Sequence, residues 1–386
     1  MAGVVVIYYS KFGARLYAHE KATLFDVAAM IAKLKGCEIA GSYDPASNYP
    51  SKIFFVPDDT LVAEEASSLD ICSPDALFGG VVPYPVVRTK AITHQLVSGN
   101  AYRPEGWSPA FARGVQNVVL RGYTAFTTHD ARVAAARLLT QGAVRVKQAL
   151  RDGGKDQIVI TGIGELDELL ETLSVETIAT FGLVLEDNLR RVTTLSVGQV
   201  TVDQLKTTYQ GTQRTVVNNK GEHVYGGSHL FCVRGGWEAL DRVPMSPVVR
   251  RGVTQARTYD RAASEFPGFL ASRRNYDVGQ GLDGEGHWRS GVFEASWRSG
   301  GASTAELAAL TAFAQDPSLH VFEASTVKDF GRAREAPRHA LIHFEGDDPE
   351  EGPILRYTLV KQHYVRLREG LGTELPSALA RQWASP

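Results

Sequence analysis

The chain has 386 residues, more than one hydrophobic core usually organises, so two or three subdomains around a cleft are expected. A hydrophobic share of 44% and a charged share of 22% exclude the collagen-like and disordered classes. The formal net charge is −2 and the pairs Arg190-Arg191, Arg250-Arg251 and Arg273-Arg274 are scattered, which argues against nucleic acid as a partner; Cys37, Cys72 and Cys232 lie far apart without CxxC spacing, which fits a reducing compartment.

Residues 3–9 (GVVVIYY) are too short for a signal h-region with its cleavage site and follow no basic segment, so they read as a buried strand of a cytoplasmic protein. No stretch reaches the ~20 apolar residues of a membrane helix. A helix over 23–35 and a strand at 53–56 complete a βαβ opening. A strand with a Gly-Pro tail at 77–83 leads to Arg88-Thr89-Lys90, the first candidate boundary. Beyond a Pro/Gly/Trp-rich loop at 103–109, the pattern predicts a helix over 129–139, a strand over 143–149, a polar glycine turn at 152–155 and a strand over 157–161. Alternating strands fill 183–233 and read as antiparallel sheet. A helix over 257–270 precedes strands at 274–278 and 288–294 joined by a 279–287 loop, and another helix begins at Ser303. The acidic run 347–351 reads as a solvated loop.

The strands around 277 and 294 carry the clearest chemistry. In a hairpin, Asp277 and Glu294 sit side by side, and Ser296 shares the face of Glu294, giving a hard-oxygen site suited to Mg2+. The same residues can equally form an exposed acidic strand end. Ser303 and Glu306 match a capping box after the diglycine turn Gly300-Gly301, so exposed N–H groups beside Arg298 suggest an anion site. Lys147, on an apolar strand leading into Gly153-Gly154, is either a solvated edge charge or a phosphate ligand under a flexible turn. Gly162-Ile163-Gly164 lacks the third glycine of a dinucleotide fingerprint, and neither a zincin helix nor a GxSxG elbow is present.

Lys90, Lys147 with the GGK turn, LVLEDN at 183–188, Asp277 and FEASWRSGG at 293–301, in that order, make the chain similar to the ATP-grasp superfamily, which includes D-alanine ligases and biotin carboxylases. The segments TTYQGTQ, VYGGSHL and GVFEASWRSGGAS also resemble an uncharacterised bacterial family defined only as a domain of unknown function. The resemblance implies an α/β (α+β) ATP-grasp fold. An N-terminal βαβ domain would span 1–89, a lid subdomain with linker helix 90–187, and an antiparallel-sheet subdomain with metal site and C-terminal extension 188–386. It implies an ATP- and Mg2+-dependent ligase that activates a carboxylate as an acyl phosphate for attack by an amine or thiol, releasing ADP and phosphate. A nucleotide-binding module without catalysis and an ATP-grasp small-molecule kinase stay open as alternatives. Lys90 and Lys147 would contact the phosphates, with Gly153 and Gly154 in the lid. Leu185 to Asn188 would form the hinge at adenine, where Glu186 serves the adenosine through backbone or ribose contacts. Asp277 and Glu294 would hold Mg2+, Arg298 would steady the transferred phosphoryl group or the acyl intermediate, and Arg298 and Lys147 would be the catalytic residues. The superfamily's usual Asn two residues after the second metal carboxylate is here Ser296, which implies a weakly held second ion or a slow or degenerate enzyme. Partners would be small-molecule acid and amine substrates, without nucleic acid or membrane, and a homodimer is compatible. Residues 209–235 and 340–382 either set specificity or are plain turn chemistry.

Overall fold

The computed structural model describes residues 3–49, 52–149, 157–332 and 334–365. The opening strand β1 (Val4–Tyr8) is apolar at every position because both of its faces are covered, as in parallel sheets generally. It pairs in parallel with β2 (Glu38–Ser42) and β3 (Ile53–Pro57). Helix α1 (Ala18–Lys35) packs Leu24, Val27 and Ile31 on one face of this sheet and stops at Gly36, whose φ of 63° is a left-handed C-terminal cap. The other face packs on Leu61, Leu77 and Val81 of the following segment, which contains β4 (Leu61–Val62), α2 (Ala63–Ser68) and β5 (Gly80–Val82).

A second unit follows a short helix, α3 (Pro109–Val115). It is a four-stranded sheet in the order β6-β9-β7-β8, from β6 (Gly122–Ala125), β7 (Val144–Gln148), β8 (Gln157–Ile160) and β9 (Leu183–Asp187). Helices α4 (Thr128–Leu139), α5 (Ile163–Thr172) and α6 (Val175–Phe181) accompany it. Val144, Val146 and Leu185 join the core on the helix side. Arg145 and Lys147, by the two-residue strand period, point to the opposite face.

The chain then enters an eight-stranded sheet. It contains β10 (Arg190–Val202), β11 (Leu205–Val217) and β12 (His223–Arg234), then, after α7 (Trp237–Asp241), α8 (Pro247–Ala263) and the short β13 (Leu270–Ala271), the strands β14 (Arg273–Leu282) and β15 (Trp288–Ser296). Helix α9 (Ser303–Gln315) leads to β16 (Val321–Phe330), β17 (Leu341–Asp348) and β18 (Gly352–Val365). The strand order is β15-β14-β10-β11-β12-β16-β18-β17, with antiparallel neighbours throughout. Helix α8 buries Val249, Val253 and Tyr259 against Tyr276, Val278 and Val292 on one face, and α9 covers part of the other.

Several expectations change. The segment at 183–187 does not continue into the large antiparallel sheet; it pairs with β6 and β7, and the chain crosses between sheets at 188–189. The helix predicted over 257–270 starts at Pro247, because Ser246 accepts a hydrogen bond from Val249 N and proline suits the first helical position. Ser303 and Glu306 form no capping box: Ser303 Oγ takes the Gly300 N–H, and the buried Glu306 carboxylate receives Arg273 Nε and Nη2 at 2.8 and 2.9 Å and the Tyr209 hydroxyl at 2.5 Å. In the run 347–351, Asp347, Pro349 and Glu350 are exposed as expected, but Asp348 and Glu351 are buried against His19 and Lys328.

Candidate active site

Asp277 on β14 is the direct cross-strand partner of Glu294 on β15. The next aligned pair is Val278 with Val292, so Phe293 is an extra residue, a bulge. The bulge sends Val292 into the core under α8 while Phe293 and Glu294 both line a cavity of about 470 Å³ on the opposite face. Gly279 makes this packing feasible, because a Cβ there would stand 1.9 Å from the Phe293 ring. Asn275 faces Ser296 across the same ladder, so the four polar residues share one surface. The Asn275 Nδ2 is spent on Ser196 Oγ and Tyr209 Oη, at 2.8 and 3.1 Å.

The roof of the cavity is the polar face of the four-stranded sheet. Lys147 Nζ lies 2.5 Å from Glu186 Oε1 and 4.5 Å from the centre of the Phe293 ring. The other Glu186 oxygen meets His94 Nε2 at 3.1 Å. All three side chains are buried. Burial alone opposes the Glu186 charge, but Lys147 and His94 outweigh it and hold the carboxyl near 2; burial lowers the Lys147 ammonium, partly offset by Glu186. Lys90, on the tight turn Lys90–Ile92, places Nζ 3.2 Å from Glu294 Oε2. At Asp277, burial and then the neighbouring Glu294 push the carboxyl up to about 7, against the opposing pull of Gln213, Arg273 and Lys90. Its Oδ1 is buried with no hydrogen-bond partner among the described residues. An orphaned hard oxygen beside a second carboxylate fits a divalent cation.

Arg298 extends the site past Ser296. Its Nε is 3.7 Å from Asp59 Oδ1, and its carbonyl is held by Arg273, which is itself locked on Glu306. Breaking that buried pair costs about 3–5 kcal/mol, so the turn carrying Arg298 rests on a rigid base.

Of the residues singled out from the sequence, Lys147, Glu186, Asp277, Glu294, Ser296 and Arg298 line this one cavity, and Lys90 reaches it through Glu294. Leu185 is instead packed in the core of the four-stranded-sheet unit, and the Asn188 side chain is bound by Arg145 at 2.8 Å; their neighbours Asp187 and Leu189 line the cavity. Gly153 and Gly154 lie outside the described residues. Sequence reasoning missed Arg145, although its spacing of two from Lys147 was the available signal. It also missed Gln213, which hydrogen-bonds Asp277 from another strand with no local signature.

A model of the family described as protein of unknown function DUF3182 matches residues 7–358. The chain belongs to the DUF3182 family. No curated protein matches it. Among solved structures, the DUF3182 chain is similar to carboxyaminoimidazole ribonucleotide synthase from Aspergillus clavatus complexed with ATP, at 11% identity over 93% of this chain and 94% of that one, with a TM-score of 0.50. N5-carboxyaminoimidazole synthase from Aspergillus clavatus in complex with ADP and 5-aminoimidazole ribonucleotide matches at 10% identity, 93% and 94% coverage and a TM-score of 0.50. N5-carboxyaminoimidazole synthetase from Staphylococcus aureus matches at 13% identity over 94% of each chain, with a TM-score of 0.49. The fold of the DUF3182 chain is the ATP-grasp fold, a mixed α/β architecture with an eight-stranded antiparallel sheet. No helix of the described residues is long and apolar enough to cross a membrane.

Proposed function

We propose that this protein is an ATP-dependent carboxylate–amine ligase that forms an acyl phosphate and releases ADP and phosphate. The observation that carries the reading is the Asp277–Glu294 pair, with its orphaned buried oxygen, lining one cavity together with Lys147. The structure of the same fold from Aspergillus clavatus is complexed with ATP, which supports a nucleotide as the ligand.

On this reading Lys90 and Lys147 receive the phosphates. Glu186 and His94 aim Lys147, and because the Glu186 backbone is paired with Gly122 and Arg145 on the flanking strands, the adenosine falls to the neighbouring Asp187 and Leu189 that line the cavity. Asp277, Glu294 and Ser296 would hold Mg2+, which when bound offsets charge on the β- and γ-phosphates. Arg298 stands where the transferred phosphoryl group meets the acid substrate and stabilises the charge that develops there. No protein nucleophile is needed, since holding the reactants together and excluding water supplies most of the effect.

The test is hydroxylamine trapping. Wild-type protein given ATP, Mg2+ and a panel of common amino acids and dicarboxylic acids should yield a hydroxamate with at least one acid. Glu294→Gln, which keeps shape but removes charge, should stay folded and lose that product by about a hundredfold or more. A stable phosphate ester, or normal turnover by Glu294→Gln, contradicts the reading.

A further inference from the structure

A second, larger cavity of about 710 Å³ adjoins the first. Its walls are the loop after β1, the lid helices through Leu173 and Phe181, and Lys328 and Arg356 of the C-terminal strands. The two cavities meet at Tyr225, Arg298 and Gly301, which line both. A Cβ on Gly301 would stand 2.3 Å from the Tyr225 ring, so glycine keeps the junction in shape.

Asp58 is the acid at this junction. It directly follows β3, at the carboxyl end of the parallel sheet, where ligands bind in open α/β sheets. It lines the large cavity and also a small corner cavity shared with Arg298, Gly300 and Arg356. Its Oδ1 accepts the Ser10 N–H at 2.8 Å, and a Cβ on Gly13 would stand 2.7 Å from its Oδ2, so the loop wraps the carboxylate closely. The adjacent Asp59 binds Arg88 at 2.6 Å and Arg298 at 3.7 Å, whereas Asp58 makes no ion pair among the described residues. The ionisable groups around it are Tyr8, Asp59 and Arg298, with Glu20 and Arg356 across the corner cavity and Arg15, His19, Arg88 and Lys328 on the other walls of the larger one.

We propose that the larger cavity takes the amine acceptor and that Asp58 is the catalytic residue that accepts its proton, an inference that rests on the ligase reading above. As the amine nitrogen bonds to the acyl carbon, the bond from that carbon to the phosphate oxygen breaks and its electron pair leaves on phosphate. The proton shed by nitrogen goes to the Asp58 carboxylate. Burial, aided by Asp59 and opposed by the Ser10 bond, raises this carboxyl to about 6, a suitable strength for a base working near neutral pH.

The experiment compares two nucleophiles on Asp58→Asn, using the acid found by hydroxamate trapping and the common amino acids as amines. Hydroxylamine is largely unprotonated at neutral pH and needs no base. Asp58→Asn should therefore keep hydroxamate formation and the ATP·Mg2+-induced rise in Tm, while amide formation falls by about 10²–10⁴-fold, as for loss of a general base. Asp58→Glu should recover part of the amide rate, and the wild-type kcat/KM for the amine should fall on the acid side of about pH 6. Equal losses of hydroxamate and amide, or an unchanged amide rate, overturn the inference. Absence of hydroxamate from wild type with every acid overturns the ligase reading, and this inference with it.

Discussion

At Asp277, burial and the Glu294 carboxylate oppose ionisation more than Gln213, Arg273 and Lys90 favour it. The folded state therefore holds this proton more tightly than the unfolded chain, whose value is 3.8. The group's contribution to stability falls as pH rises from 3.8 to about 7 and stays lost above, each tenfold change in proton affinity being worth about 1.4 kcal/mol. Without Mg2+, Asp277→Asn should raise Tm at pH 8 and make little difference near pH 4, and with ATP·Mg2+ only the wild type should gain. Thermal unfolding across that range checks this; a gap that does not vary with pH contradicts it. Asp277 and Glu294 were legible in the sequence because two acids at facing strand ends have a pattern. Asp58 was not, since a lone acid after a strand looks like any loop residue until the fold shows which cavity it lines.

At the scale of the element, the polar face of the four-stranded sheet behaves as a unit. Lys147→Met alone leaves the Glu186 charge buried with only His94 beside it, which should cost about 3–5 kcal/mol whatever Lys147 does for a nucleotide. Lys147→Met combined with Glu186→Gln should recover much of that loss without recovering ATP·Mg2+ binding. Calorimetric titration of the double variant separates the two effects, and wild-type affinity would remove Lys147 from the nucleotide site. Strands β7, β14 and β15 were readable from apolar alternation, but the bulge at Phe293 was not: it depends on Gly279 leaving room for the ring, a contact between strands. Helix α8 was placed too late because its N-terminal signal, Ser246-Pro247, precedes the apolar periodicity that was read.

For the whole molecule, the order of strands and helices was largely visible in the chain, while the pairing of distant segments was not. The acidic run at 347–351 looks solvated by composition, yet His19 donates its backbone N–H to Asp348 at 3.1 Å, and Lys328 reaches Glu351 at 2.8 Å. These contacts tie α1 to the C-terminal strands and close one side of the larger cavity, so the proposed acceptor site exists only in the folded whole. The central claim is that both cavities serve one reaction through an acyl phosphate. The most direct measurement follows oxygen: the acid substrate is labelled with oxygen-18 in its carboxylate and the released phosphate is analysed by mass spectrometry after turnover with ATP, Mg2+ and the amine. Acyl phosphate chemistry delivers an oxygen-18 atom from the acid to inorganic phosphate. Unlabelled phosphate, or label recovered in AMP, would contradict it.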